Sequence, residues 1–259
     1  MKVRVLGSGS AGNAIWVESG ATRLLVDCGF SCRELEKRLA ACDLSAEMVT
    51  GVLFTHDHSD HCKGVATFHK RHPQIPFFAN GNTADAIALA SGVNDGWAVF
   101  ETTEDFMIGG IQVQSFSVPH DAADTVGYFF EDGQAGLFVG TDMGMATLPM
   151  KEALSRATCA VLEANHDLRL LMTSTRSEAL KQRIAGRSGH LSNEQTAEAL
   201  REANPRELKV LLLAHLSREC NAPHLAEDAV RPVLADLGLK AMLASLEQET
   251  PSSLYEFAR

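Results

Sequence analysis

The segment Phe54-Thr-His-Asp-His-Ser-Asp-His61 gathers His56, His58, Asp60 and His61 within six positions. Imidazole and carboxylate together hold divalent zinc, manganese or iron, so the first chemistry this chain offers is metal binding. Alternate residues of an extended segment share a side, so His56 and His58 are expected to face one metal. Asp60 and His61, at the turn into a following helix, are expected to face a second metal nearby. Three more apolar runs end in ligand-type residues: Ser115-Phe-Ser-Val-Pro-His120, Gly136-Leu-Phe-Val-Gly-Thr-Asp142 and Val210-Leu-Leu-Leu-Ala-His215. With the run that leads to His56, four strands each deliver such a residue just past their last apolar position. Ligand sites in open α/β sheets favour the carboxyl ends of strands, so these residues converge if the strand ends share one edge.

The elements that must carry these residues are legible in outline. Leu6-Gly-Ser-Gly-Ser-Ala-Gly-Asn13 reads as a dinucleotide fingerprint, with Asp27 twenty residues beyond Gly7. A dinucleotide loop must open a helix, whereas Ile15-Trp-Val17, the turn at Ser19-Gly20 and Thr22–Val26 read as two strands. The glycines therefore join a strand to a hairpin, and no dinucleotide cofactor is expected. Gly9, Ser10 and Asn13 are retained as substrate contacts, because glycines let backbone N–H groups approach an anion.

Ser31-Cys-Arg-Glu34 is a capping-box pattern opening a helix through about Ala41. Strand-like runs follow at 49–54, 75–79, 111–118, 126–131, 135–139, 160–163 and 209–213. Helical patterns lie at 62–71, 83–90, 150–155, 177–184, 194–202 and 225–237. Strands and helices alternate without repeats or a Pro/Gly/Ser linker, which predicts an α/β fold in one domain spanning 1–259. The chain has 259 residues, 45% of them hydrophobic, enough for one large core. It has no apolar run of about 18 residues and no signal-peptide pattern, so a soluble cytoplasmic protein without a membrane partner is expected. The six cysteines are scattered without C-x-x-C pairs and read mostly as small buried apolar residues in a reducing compartment. A formal net charge of -10 argues against a surface coated with basic residues but leaves room for a local basic groove.

The constellation resembles the metallo-β-lactamase superfamily, whose fold is an αββα four-layer sandwich and whose signature is H-x-H-x-D-H, a later His, a bridging Asp and a final His. The resemblance runs from Gly7 to His215. It implies one metal on His56, His58 and His120, a second on Asp60, His61 and His215, and Asp142 as the bridge. Two divalent ions about 3.5–4 Å apart hold a hydroxide between them and stabilise both oxygens of a displacement at phosphorus. Asp60 would also orient that hydroxide. The mixed donor set suits manganese, zinc or iron.

Three further stretches, Pro119–Tyr128, Glu163–Asp167 and Leu180–Asn193, together with the glycine loop and Leu213-Ala-His-Leu-Ser-Arg-Glu-Cys-Asn221, resemble the YycJ/WalJ family. That family consists of small exonucleases attacking DNA, single- or double-stranded, from 5′ ends, with DNA repair as the implied role. Ser192 with Gln195 makes a capping box, so a helix starts at Asn193 just after Gly-His-Leu, and its N–H groups form an anion site. Lys181, Arg183, Arg187 and His190 lie upstream, and Lys181, Arg183, Ser192 and Asn193 are taken as substrate contacts. His190 and His166 are candidates to contact a phosphate or protonate the leaving oxygen. Only 72 residues separate Asp142 from His215, too few for the large cap domain of bigger nucleases. DNA must then cross an exposed cleft, or a second subunit in a homodimer must supply the other wall. The rival reading is a hydrolase of a small phosphodiester or thioester on the same fold.

Overall fold

The computed structural model describes residues 1–258, which group into two compact units. The first comprises Met1–Ser115, Ala122–Val126 and Glu247–Glu256; the second comprises Phe116–Asp121, Gly127–Leu246 and the described residues from Phe257 onward.

In the first unit, β1 (Lys2–Gly7), β2 (Ala14–Ser19) and β3 (Thr22–Val26) pair antiparallel. Helix α1 (Cys32–Ala40) leads to β4 (Gly51–Leu53), and the short α2 (Ser59–Cys62) and α3 (Val65–Arg71) lead to β5 (Phe77–Asn80). Helix α4 (Gly81–Ser91) and β6 (Trp97–Phe100) follow, then β7 (Asp105–Ile108) and β8 (Ile111–Ser117), an antiparallel pair. The rest of the chain supplies β9 (Val126–Glu131), β10 (Gly136–Gly140), α5 (Leu148–Ser155), β11 (Cys159–Glu163), α6 (Leu168–Thr173) and α7 (Glu178–Ala185). It ends with α8 (Asn193–Ala203), β12 (Val210–Ala214), α9 (Pro223–Asp236), β13 (Met242–Ser245) and β14 (Tyr255–Glu256).

Two seven-stranded mixed sheets result, in the orders β14-β1-β2-β3-β4-β5-β6 and β13-β12-β11-β10-β9-β8-β7. Strands β3 to β6 run parallel, as do β10 to β13, and parallel neighbours need crossover segments, which here are the helices. The central strands Cys159–Glu163 and Val210–Ala214 are buried at every position, as their unbroken apolar runs require. In the first unit α1 and α4 pack on the sheet over a core that includes Trp16, Leu25, Leu35, Phe54, Phe68 and Phe77. In the second, α5, α8 and α9 enclose Phe116, Phe138, Leu162, Leu200, Leu211 and Val230.

The glycine loop connects β1 to β2, as expected, and opens no helix. Four strands have no counterpart in the sequence reading: β6, β7, β13 and β14. They are the four edges of the two sheets. An edge strand is short and half exposed, so its apolar residues show neither a long run nor a clean alternation; β6, Trp-Ala-Val-Phe, has only Phe100 buried and β7, Asp-Phe-Met-Ile, only Ile108. The pattern expected over 62–71 divides into α2 and α3 at Lys63 and Gly64, and α6 is too short for a helical period to show. Cys28, Cys32, Cys159 and Cys220 are buried, and burial pushes the Cys28 thiol well above its ordinary value, so it behaves as an apolar filler. Among the described residues no helix is long and apolar enough to cross a membrane.

Candidate metal centre

In the first unit β4 is followed by Phe54, whose ring packs edge-on to Phe77 at 5.3 Å and against Trp97 at 5.6 Å. That anchor fixes where the chain leaves the sheet. Thr55 and His56 come next, both buried, and His58 caps the four-residue α2 that contains Asp60 and His61. The rings of His56 and His58 lie 4.7 Å apart, and those of His56 and His61 4.0 Å.

Asp27 orients this cluster. It sits just past β3 with φ 66°, buried, and its Oδ2 lies 2.7 Å from His61 Nδ1. Its Oδ1 accepts from the Thr55 N–H at 2.8 Å, and the Thr55 hydroxyl lies 3.0 Å from His56 Nδ1. With Nδ1–H of His61 directed at the carboxylate, the ring lone pair falls on Nε2, the tautomer a metal ligand needs. Asn13 Nδ2 lies 2.9 Å from that Nε2 and 3.4 Å from Asp60 Oδ2. The Asn13 backbone donates to the Asp60 carbonyl and accepts from Gly29. Gly29 must be glycine here, since a Cβ would lie 1.6 Å from the Asp60 carbonyl oxygen.

In the second unit His120, Asp142, Glu163 and His215 each follow or end a strand. Asp142 and His215 both have positive φ, 58° and 56°. Such backbone costs about 1–3 kcal/mol at a non-glycine residue and concentrates at functional sites. Asp142, Glu163, His190 and His215 offer ligand atoms all within 4.8 Å of one another. His120 Nδ1 donates to the Gly189 carbonyl at 3.1 Å, and its Nε2 lies 3.8 Å from Asp142 Oδ1. Burial lowers the His120 pKa, keeping the ring neutral as coordination requires.

Glu163 is fully buried, with Oε1 2.8 Å from His190 Nδ1 and 3.2 Å from His215 Nδ1. Its Oε2 accepts the N–H groups of Met143 at 2.7 Å and Leu191 at 3.3 Å. Four donors occupy the carboxylate, which makes it a holder of imidazoles. Burial opposes its ionisation, but the attraction and hydrogen bond of His190 prevail and hold it well below the usual carboxylate range. Reciprocally, burial works against a charged His190, and the Glu163 carboxylate outweighs it and raises that pKa. In the sequence Asp27 stood out only as part of the rejected dinucleotide fingerprint and Glu163 only within a family stretch, and neither was taken as a site residue. The signal for both was their position at the end of an apolar strand.

The remaining candidates are mostly occupied by the protein itself. Gly9 has φ 148° and its N–H donates to Asn13 Oδ1 at 2.8 Å, while Ser10 is exposed. Lys181 is buried, its ammonium held by the Met172 carbonyl and Glu178, and exposed Arg183 pairs with Asp121. Ser192 and Gln195 form the expected capping box. Asn193 is buried in a reciprocal amide pair with Asn221, and its N–H donates to the His166 carbonyl. A phosphate at the start of α8 would therefore have to displace existing partners. His166 is buried, with its pKa lowered by burial.

The profile of the Beta-lactamase superfamily domain matches residues 22–215. Exodeoxyribonuclease YycJ of Bacillus anthracis is 35% identical over 236 residues, 90% of this chain and 89% of that protein. Exodeoxyribonuclease WalJ of Streptococcus pneumoniae strain D39 is 34% identical over 244 residues, 92% and 90% of the two chains. The chain belongs to the metallo-β-lactamase superfamily and, within it, to the YycJ/WalJ family. The solved metallo-β-lactamase-fold protein YhfI of Bacillus subtilis covers 98% of both chains with a TM-score of 0.71 at 17% identity. Human tRNase Z, short form, covers 98% of this chain and 99% of that one at 0.67 and 16%. The α/β class and metallo-β-lactamase fold expected from the sequence are thus correct, and the protein is an enzyme of a metal-dependent hydrolase family.

Proposed function

We propose that this protein is a two-metal exodeoxyribonuclease that degrades DNA from 5′ ends, with DNA repair as its implied role. The observation that carries the reading is the likeness, over nine-tenths of the chain, to proteins named exodeoxyribonucleases. In this reading residues 1–259 act as one catalytic domain without an inserted cap. His56, His58 and His120 hold one ion, Asp60, His61 and His215 the other, and Asp142 both, as the family pattern implies. The donor set of neutral imidazoles and carboxylates, with His61 and His215 held through Nδ1 by Asp27 and Glu163, suits manganese, zinc or iron. A pair of such ions supplies Lewis acidity and a nucleophile at neutral pH.

The chain's own residues then do three things. Asp27 and Thr55 hold the His61 and His56 rings in their ligating tautomers. Asp60 orients the attacking water. His190, one-fifth exposed and with its pKa raised by Glu163, donates a proton from Nε2 to the departing oxygen.

A time course with a 3′-labelled, 5′-phosphorylated duplex and manganese-loaded protein, beside Asp142→Ala, tests this. A ladder shortening stepwise from the 5′ end, absent in the variant, is expected. An intact duplex with both proteins would instead favour hydrolysis of a small phosphodiester or thioester.

A further inference from the structure

Between Glu163 and His190 the chain leaves the sheet of the second unit as the α6–α7 hairpin and returns. The excursion is clamped at its base, where Glu163 and His190 meet at 2.8 Å and the His190 N–H donates to the Ile184 carbonyl. Leu171 and Ile184 close the hairpin's small core with Cys220, and Lys181 ties α7 to the end of α6. The hairpin also reaches His120, through Gly189 and through the Arg183 to Asp121 ion pair.

Its surface differs from that of the rest of the chain. Residues 168–187 hold five basic side chains and one acidic one, in a protein of net charge -10. Arg176, Lys181 and Arg183 are paired with Glu219, Glu178 and Asp121, whereas Arg169 and Arg187 are exposed with no carboxylate partner among the described residues. Beside them stand Leu168 and Met172, each 45% exposed and four apart on one helix face, and Leu180 on α7. These are three of the nine exposed large apolar side chains among the described residues. Cations interleaved with exposed apolar side chains suit a polymer with anionic backbone and apolar base faces.

We propose that the α6–α7 hairpin is the surface on which a DNA strand with unpaired bases lies, its phosphates on Arg169 and Arg187 and its bases against Leu168, Met172 and Leu180. The inference rests on the exonuclease reading above and adds the path of the strand, which runs along the hairpin toward His190. It also relocates the anion contacts from the occupied start of α8 to arginines that remain exposed.

The test is fluorescence anisotropy of a short labelled phosphorothioate single strand across a salt series. Arg169→Glu/Arg187→Glu is compared with Arg206→Glu/Lys240→Glu, an equal charge change at exposed sites elsewhere in the second unit. The first pair should weaken binding about tenfold or more and flatten the slope of log affinity against log salt by about 1.4, two phosphates at about 0.7 each. The second should do neither. Leu168→Ser/Met172→Ser should weaken binding severalfold at unchanged slope. Thermal midpoint and metal content, matched to wild type, verify that each variant is folded. Wild-type binding that survives Arg169→Glu/Arg187→Glu, or falls equally with the control pair, overturns the hairpin surface alone. A wild-type protein that neither binds nor cuts DNA overturns the exonuclease reading and this inference with it.

Discussion

The two sets of ligand-type residues are built in opposite ways. In the first unit His56, His58, Asp60 and His61 come from one continuous segment, and a single loop conformation places all four. In the second, His120, Asp142 and His215 come from three different strand ends, spread over nearly a hundred positions. Each set nevertheless has one buried carboxylate behind it. Asp27 takes His61 and Thr55; Glu163 takes His190 and His215 and two backbone N–H groups. Asp27 joins two positions of one short segment, whereas Glu163 gathers His190, His215 and the backbone of Met143 and Leu191, groups far apart in the chain.

The sharpest way to break the comparison is to remove one residue from each set. His56→Ala and Asp142→Ala should each lower the initial rate on a labelled duplex by on the order of 10³-fold, since metal ions contribute several kcal/mol of charge stabilisation. Equal losses fit two sets serving one reaction; an active variant of either would assign the chemistry to the other set alone. A smaller effect is expected behind the ligands. Asp27→Asn and Glu163→Gln should each weaken metal binding about 10–100-fold in a chelator competition. Of the two, only Glu163→Gln should also shift the alkaline limb of the rate profile, because Glu163, and not Asp27, is among the carboxylates that raise the pKa of His190. With that carboxylate gone the His190 pKa falls, so the protonated ring and the rate it supports are lost at lower pH.

The smallest contrast concerns helix entry. Ser31 accepts from Glu34 N–H while the Glu34 side chain turns to Arg38, so only half of the expected capping box forms in the first unit. Ser192 and Gln195 complete theirs in the second. Ser192→Ala should cost about 1 kcal/mol or more and Ser31→Ala less, read as the drop in thermal midpoint.

Chain order was enough to read the H-x-H-x-D-H segment, the strand-to-hairpin role of the glycine loop and the buried central strands, since each depends on neighbours along the chain. Alternation in an extended segment, the length a helix needs and an unbroken apolar run are all local properties. The four sheet edges were illegible because a half-exposed strand has no local signature of its own. The second rank of the site was hidden for a related reason. Asp27 and Glu163 are isolated carboxylates in sequence, and only folding brings His61 to one and His190 and His215 to the other. Tertiary structure likewise decided the fate of Asn193, whose amide looks available in the chain and is taken in the fold by Asn221, whereas the partners of Lys181 and Ser192 are near in sequence. A buried polar group must find a partner or bear the cost of desolvation, and for Asn193 that partner lies 28 positions away.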